Sequence, residues 1–342
     1  IMKTTYLNTN TIETMFKQLK LNFGGSIVKE SKEYILSIKN EIGNGNIKGV
    51  PLQGGISYIE FDMTFTQDVI LSIDTPNKNP IYFAYCSRGS LGHSFGCNEK
   101  KHVLKNFQTG ILTSQLGDEN RLHFKKDQPS KITLIAVQAS NLAKVIGKDS
   151  LKNKLQNTFF KEGLKENFVY IGSQNLKIAE KVQQLNAIKQ KGIVRTLLIQ
   201  GLVNVILALE IQQHVEDKNR EIPLGSLTIR DMEIIKQTSQ YIKSNYDKQL
   251  SVSQLCSEFG ISPSKLQEGL KDMHGRTVAD YVREIRILKA EELIKGTDLN
   301  ISEVVYSIGF SSRSYFSKIF KEKFNCSPKD YRDAQRRLPI SA

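Results

Sequence analysis

The chain has 342 residues, enough for two domains, and its 39% hydrophobic and 24% charged content excludes a disordered or low-complexity protein. The formal net charge of +13 fits an anionic partner, yet residues 226–342 hold only 19 Lys+Arg against 15 Asp+Glu, so charge singles out no nucleic-acid-binding half. The cysteines Cys86, Cys97, Cys256 and Cys326 form no CxxC pair, and no HExxH, P-loop, dinucleotide or Ser/His/Asp pattern occurs. Reduced thiols, a cytoplasmic location, no cofactor and a non-enzymatic role are therefore expected.

Residues 1–150 read as a β-rich domain. Glu33–Ile42, Ile56–Phe65, Val69–Ile73, Ile81–Cys86 and Lys131–Val137 are rich in Ile, Val, Tyr, Phe and Thr. Turn chemistry falls between them at Gly43-Asn44-Gly45-Asn46, Gly54-Gly55, Thr75-Pro76-Asn77 and Gly117-Asp118. Even spacing of short strands predicts a small barrel or sandwich. A barrel interior can hold a small-molecule effector, and Tyr82, Tyr85, Arg88, His93 and Phe95, around one hairpin, are the candidates to line it. Core packing explains those alternating positions equally well. His93 with Cys97 and Cys86 is the one conceivable metal site; scattered structural positions are the expected alternative, and no metal is assigned.

Residues 151–225 read as a helical segment, with Leu176–Gln190 and Ile193–Glu216 at helical spacing. Val194, Leu197, Leu198, Gly201, Leu202, Val205 and Leu209 lie largely along one face, too apolar to be left in water. That face predicts either packing on the β-rich domain or pairing with a second copy, and a homodimer is expected; Gly201 and Ala208, seven apart, allow close helix approach. Between Arg195 and Glu210 the uncharged run is shorter than the roughly 20 residues that cross a bilayer, so no membrane is expected. Asp217–Gly225, charged and then rich in Pro and Gly, marks the boundary with residues 226–342.

That last third contains a duplication. Displacing the chain by 50 residues sets Leu266 on Phe316, Leu270 on Phe320, Gly275 on Asn325, Thr277 on Ser327, Asp280 on Asp330 and Tyr281 on Tyr331. Leu266/Leu270 and Phe316/Phe320 each make one buried helical face. Gly275 and Asn325 suit the left-handed residue that ends a helix, and Thr277 and Ser327 suit N-caps with an acidic residue at N3. Upstream of each helix stands another, capped by Ser251 with Gln254 or by Asn300 with Glu303 and closed at Gly260 or Gly309. Helix, glycine turn, helix is the unit whose second helix enters the DNA major groove. Val278–Ile294 is predicted as a rigid helix between the two units.

Gly309-Phe310-Ser311-Ser312-Arg313-Ser314-Tyr315-Phe316-Ser317-Lys318-Ile319-Phe320-Lys321, followed by Ser327-Pro328-Lys329-Asp330-Tyr331-Arg332, resembles the signature of the AraC/XylS family of bacterial transcription regulators. The resemblance covers residues 228–337. It implies an α+β protein: a cupin-like sensor barrel with a helical segment, then an all-α domain of seven helices carrying two helix-turn-helix units. It also implies double-stranded promoter DNA and RNA polymerase as partners, and activation as the tendency. By resemblance Ser264, Gln267 and Glu268 read bases in the first recognition helix, flanked by Lys265 and Lys271. In the second, Arg313, Ser314, Ser317 and Lys318 project outward, with Lys321 and Lys323 placed for phosphates. Glu268 and Gly269 depart from the family pattern. They point to weaker binding by the first unit, Gly269 by costing about 1 kcal/mol of helix stability.

Overall fold

Runs of Ile, Val, Phe and Tyr build most of the first of two units, residues 1–224 and 225–342, into which the computed structural model divides. The structure describes residues 2–8, 11–74, 80–96, 100–114, 118–138, 154–155, 167–219 and 227–337. In chain order the first unit has β1 (Met2–Asn8), α1 (Ile12–Phe23), β2 (Ser26–Glu30), β3 (Glu33–Asn40), β4 (Gly43–Pro51), β5 (Ile56–Phe65), β6 (Asp68–Asp74) and β7 (Ile81–Arg88). β8 (Ser90–Phe95), β9 (His102–Lys105), β10 (Gln108–Thr113), β11 (Asn120–Phe124), β12 (Ser130–Val137), β13 (Phe168–Gln174), α2 (Leu176–Asn186) and α3 (Gly192–Lys218) follow.

The strands form two sheets, one ordered β1-β6-β11-β8-β9 and one ordered β13-β10-β7-β12-β5-β4-β3-β2. β1 runs parallel to β6 and the other pairings are antiparallel. Leu36, Ile47, Phe61 and Leu134 of one sheet share a core with Leu71, Leu91, Leu122 and Phe124 of the other, and the Phe61 and Phe124 rings meet at 5.3 Å. The α+β class holds, but the expected barrel is two open sheets face to face.

Three features differ from the sequence reading. α1 interrupts the β-rich region: Thr11 caps it, accepting from Thr14 N at 3.1 Å, and Met15, Phe16, Leu19 and Phe23 are buried. A Cβ at Gly49 would lie 2.4 Å from Phe16 Cε2, so glycine lets that ring sit against β4. Gly43–Asn46 is strand rather than turn, since Gly45 (φ 143°) brings β4 so close to β5 that a Cβ would meet Asp62 O at 2.1 Å. Phe168–Gln174, in the segment read as helical, is an edge strand: Val169, Tyr170 and Ile171 pair with β10. The expected turn at Thr75-Pro76-Asn77 lies outside the described residues, as do Gly117, Cys97 and the boundary residues 220–226.

α3 covers the large sheet with a face that carries Arg195, Glu210 and Asp217. Arg195 reaches Glu33 (Nε to Oε2, 2.6 Å), Gln200 Oε1 accepts from Gln53 N at 2.8 Å, and Asp217 accepts from Ser173 N at 3.1 Å. Ile199, Val203, Ile206 and Glu210 are buried between. The opposite face is exposed and apolar: Ile193 is 71%, Leu197 59% and Val194 51% accessible. By length and composition the 27-residue helix, with a stretch of mean hydropathy 1.9, is long and apolar enough to cross a membrane. The two charges that shortened the run in the sequence both point at the sheet.

The second unit contains α4 (Ile229–Ser244), α5 (Val252–Phe259), α6 (Pro263–His274), α7 (Val278–Gly296), α8 (Ile301–Ser307), α9 (Arg313–Phe324) and α10 (Pro328–Arg337). Ile287, Ala290, Val304, Val305, Phe316 and Phe320 form the core on which α7, α8 and α9 meet.

Candidate nucleic-acid interface

The two helix–turn–helix units are set by their own short-range chemistry. Gln254 N donates to Ser251 Oγ at 3.2 Å and Ser251 N to Gln254 Oε1 at 3.0 Å, a reciprocal cap that starts α5. Asn300 and Glu303 repeat it for α8, at 3.0 and 2.6 Å. Left-handed Gly260 (φ 63°) and Gly309 (φ 78°) make the turns. Ser262 and Ser312 cap α6 and α9, accepting from Lys265 N at 3.4 Å and Tyr315 N at 3.2 Å. Gly275 (φ 70°) and Asn325 (φ 58°) end both helices in the left-handed conformation. Leu266, Leu270, Phe316 and Phe320 are fully buried, so the opposite faces of α6 and α9 are what each unit presents.

Those faces are unequal. On α6, Ser264 and Lys271 are exposed and Glu268 is half-buried. Lys265 Nζ lies 2.7 Å from Asp231 Oδ2 at the start of α4, and this pair, with the backbone bond from Thr228, holds the Asp231 carboxyl at a pKa of about 2. Gln267 Oε1 accepts from Val278 N at 3.0 Å, binding the first turn of α7 instead of projecting from the helix. Gly269 has a packing reason: a Cβ there would stand 2.0 Å from Ile235 Cδ1, so its absence lets α4 approach α6. On α9, Arg313, Ser314, Lys318 and Lys321 are all exposed and Ser317 half-exposed, whereas Lys323 pairs with Glu284 at 2.8 Å. Beside Arg313 and Ser317 a groove of about 450 Å³ is lined also by Ser302, Ser327, Lys329 and Arg332. Lys329 and Arg332 had a signal in the sequence, the Ser327–Arg332 run, but only the fold sets that run against α9.

The effector candidates do not converge. Tyr82 faces the shared core beside a cavity of about 40 Å³ with Ile12, Met15 and Ile59. That volume suits a water or two, not a sugar-sized molecule. Tyr85, three residues on, takes the opposite face and donates to Asn175 O at 2.9 Å. Arg88 is exposed and pairs with Asp62 at 2.8 Å. His93 is buried on the other sheet against Phe95, its Nε2 3.1 Å from Asn120 Oδ1, and burial lowers its pKa to about 4. No group of three or more potential metal ligands gathers among the described residues.

Two capped helix–turn–helix units with outward second helices, joined by the single helix α7, define a double helix-turn-helix DNA-binding domain. Residues 255–334 match a family model described as a helix-turn-helix domain. The chain is 33% identical over 104 residues to the xylose operon regulatory protein of Escherichia coli K12, covering 30% of this chain and 26% of that protein. It is 32% identical over 114 residues to histidine kinase P4 of Formosa agariphila, covering 33% of this chain and 8% of that protein. The crystal structure of an AraC-type DNA-binding-domain regulator from Chromobacterium violaceum is 26% identical, covering 33% of this chain and 99% of that one, with a TM-score of 0.30. The second unit is an AraC/XylS-type DNA-binding domain. The chain spans well under two thirds of the length of either curated relative.

Proposed function

We propose that the chain is a sequence-specific, DNA-binding transcription regulator that sets α6 and α9 into successive major grooves. The observation that carries this reading is the exposed cationic face of α9, with Arg313, Lys318 and Lys321 on a helix whose other side is locked in the core. Arg313 and Lys318 are suited to guanine edges, and Lys321 to phosphate. Ser264, Glu268 and Lys271 are what α6 offers, so α9 anchors binding and α6 modulates it. The exposed apolar face of α3 supports a homodimer. A small-molecule effector of the first unit and activation through RNA polymerase follow from the family resemblance, and a cytoplasmic location from the sequence reading.

The test is selection of bound duplexes from a random-sequence library by the full chain. A bipartite preferred sequence is expected. Arg313→Ala should relax preference at one base pair, with a loss of about 1–3 kcal/mol there, while Lys321→Ala should weaken all duplexes alike. Recovery of no preferred sequence refutes the reading.

A further inference from the structure

One side chain of α7 touches both helix-turn-helix units. Arg286, midway along α7 and half-buried, donates from Nε to Tyr246 O at 2.8 Å and from Nη2 to Lys248 O at 2.7 Å. Both carbonyls belong to the segment that joins α4 to α5, in the first helix-turn-helix unit. The same guanidinium lies 5.4 Å from the centre of the Phe310 ring, in the turn of the second unit. Tyr246 packs against the second unit's core, and Lys289 lies over its ring at 5.8 Å.

The two turn glycines show the consequence. At Gly260 a Cβ would meet nothing within 4 Å, so that turn is open. At Gly309 it would stand 2.5 Å from Asp247 O and 3.0 Å from Arg286 Nη2, so the second turn is pressed on the 245–251 segment that joins α4 to α5. The repeat is thus asymmetric, and the asymmetry centres on this clasp. Arginine suits it because one planar fork donates along two directions while its face rests on an aromatic ring.

We propose that Arg286 is a positioning residue that locks the two helix-turn-helix units at one separation and so sets the spacing of the two DNA elements the chain reads. It touches no base; it acts through the 246–248 segment and the Gly309 turn. The DNA part rests on the function proposed above, whereas the clasp does not.

The test compares full-length wild type with Arg286→Met, which keeps bulk but has no donors, and Arg286→Lys, which keeps charge without the fork. The first readout needs no DNA: amide hydrogen exchange in peptides spanning 245–250 and 306–312. Exchange should rise in both segments in Arg286→Met, by less in Arg286→Lys, with α6 and α9 protected as before. Unchanged exchange in the two segments, or a rise throughout the helical unit, overturns the clasp. The second readout uses duplexes selected by the wild-type chain, intact, with one or two base pairs inserted between the elements, or with one element scrambled. Arg286→Met should bind the intact duplex about tenfold more weakly and the scrambled ones unchanged, and should lose less than wild type on insertion. An equal loss on intact and scrambled duplexes, or the wild-type insertion penalty, overturns the spacing role. If wild type selects no sequence, the DNA reading and the spacing role fall together, and exchange still decides the clasp.

Discussion

Gly269→Ala sets two effects of known size against each other. In a helix interior alanine is favoured over glycine by about 1 kcal/mol. Here the new methyl would stand 2.0 Å from Ile235 Cδ1, 2.6 Å from Cγ1 and 3.1 Å from Cγ2. Ile235 is fully buried and branched at Cβ, so its χ1 is stiff and Cγ1 and Cγ2 cannot both move away cheaply. Overpacking of this kind costs typically 1–3 kcal/mol. Contacts this short belong at the top of that range, which leaves a net loss of about 2 kcal/mol. The assay is native-state hydrogen exchange of α4 and α6 peptides, which reads the helical unit separately from the β unit. Combining Gly269→Ala with Ile235→Ala should show a favourable coupling of about 1–3 kcal/mol, because the second change removes the obstructing atoms. A Gly269→Ala chain as stable as wild type, or additive double-mutant values, would refute the packing argument and leave Gly269 a mere weak point in α6.

Three further outcomes are expected. The Asp231 pKa of about 2 lies below the ordinary carboxylate value of about 3.9, so its stabilisation is present above that value and fades as pH falls through about 2. Asp231→Asn keeps an acceptor for Thr228 N but loses the charge paired with Lys265, so it should cost up to about 1 kcal/mol at neutral pH and flatten this acid limb, read by the pH dependence of exchange in α4. Glu210 is buried with neither oxygen hydrogen-bonded, and burial pushes its pKa well above the usual value, so folding favours the neutral acid and loses stability as pH rises through the folded value. Glu210→Gln should remove that decline with rising pH in urea melts of the β unit, and a glutamine chain with the same pH dependence as wild type would oppose this. Val205→Asp places a charge in the exposed apolar face of α3; if the proposed dimer forms there, the sedimentation mass should fall to that of a monomer while circular dichroism stays unchanged, and a monomeric wild type or an unchanged mass refutes that use of the face.

Much of the second unit was legible in the chain alone. The caps at Ser251, Thr277, Asn300 and Ser327, the left-handed ends at Gly275 and Asn325, and the buried Leu266, Leu270, Phe316 and Phe320 follow from interactions that reach no further than one helical turn. In the first unit the strands made of runs rich in Ile, Val, Tyr, Phe and Thr were also readable. α1 and β13 were not, because helix 12–23 stands among strands and strand 168–174 stands among helices, and only their partners decide between the two.

The duplicated helix–turn–helix architecture and the α+β class were therefore determined by the sequence. Which outward residues remain available to a ligand was decided by tertiary structure. Gln267 is committed to Val278, Lys265 to Asp231, Lys323 to Glu284 and Arg286 to Tyr246, across separations of 11, 34, 39 and 40 residues. The same holds for Gly269, whose value is a neighbour on another helix, and for α3, whose Arg195 turns inward to Glu33 while Leu197 and Leu198 face out. Periodicity states which residues share a face; only the packing of one element on another states what that face meets.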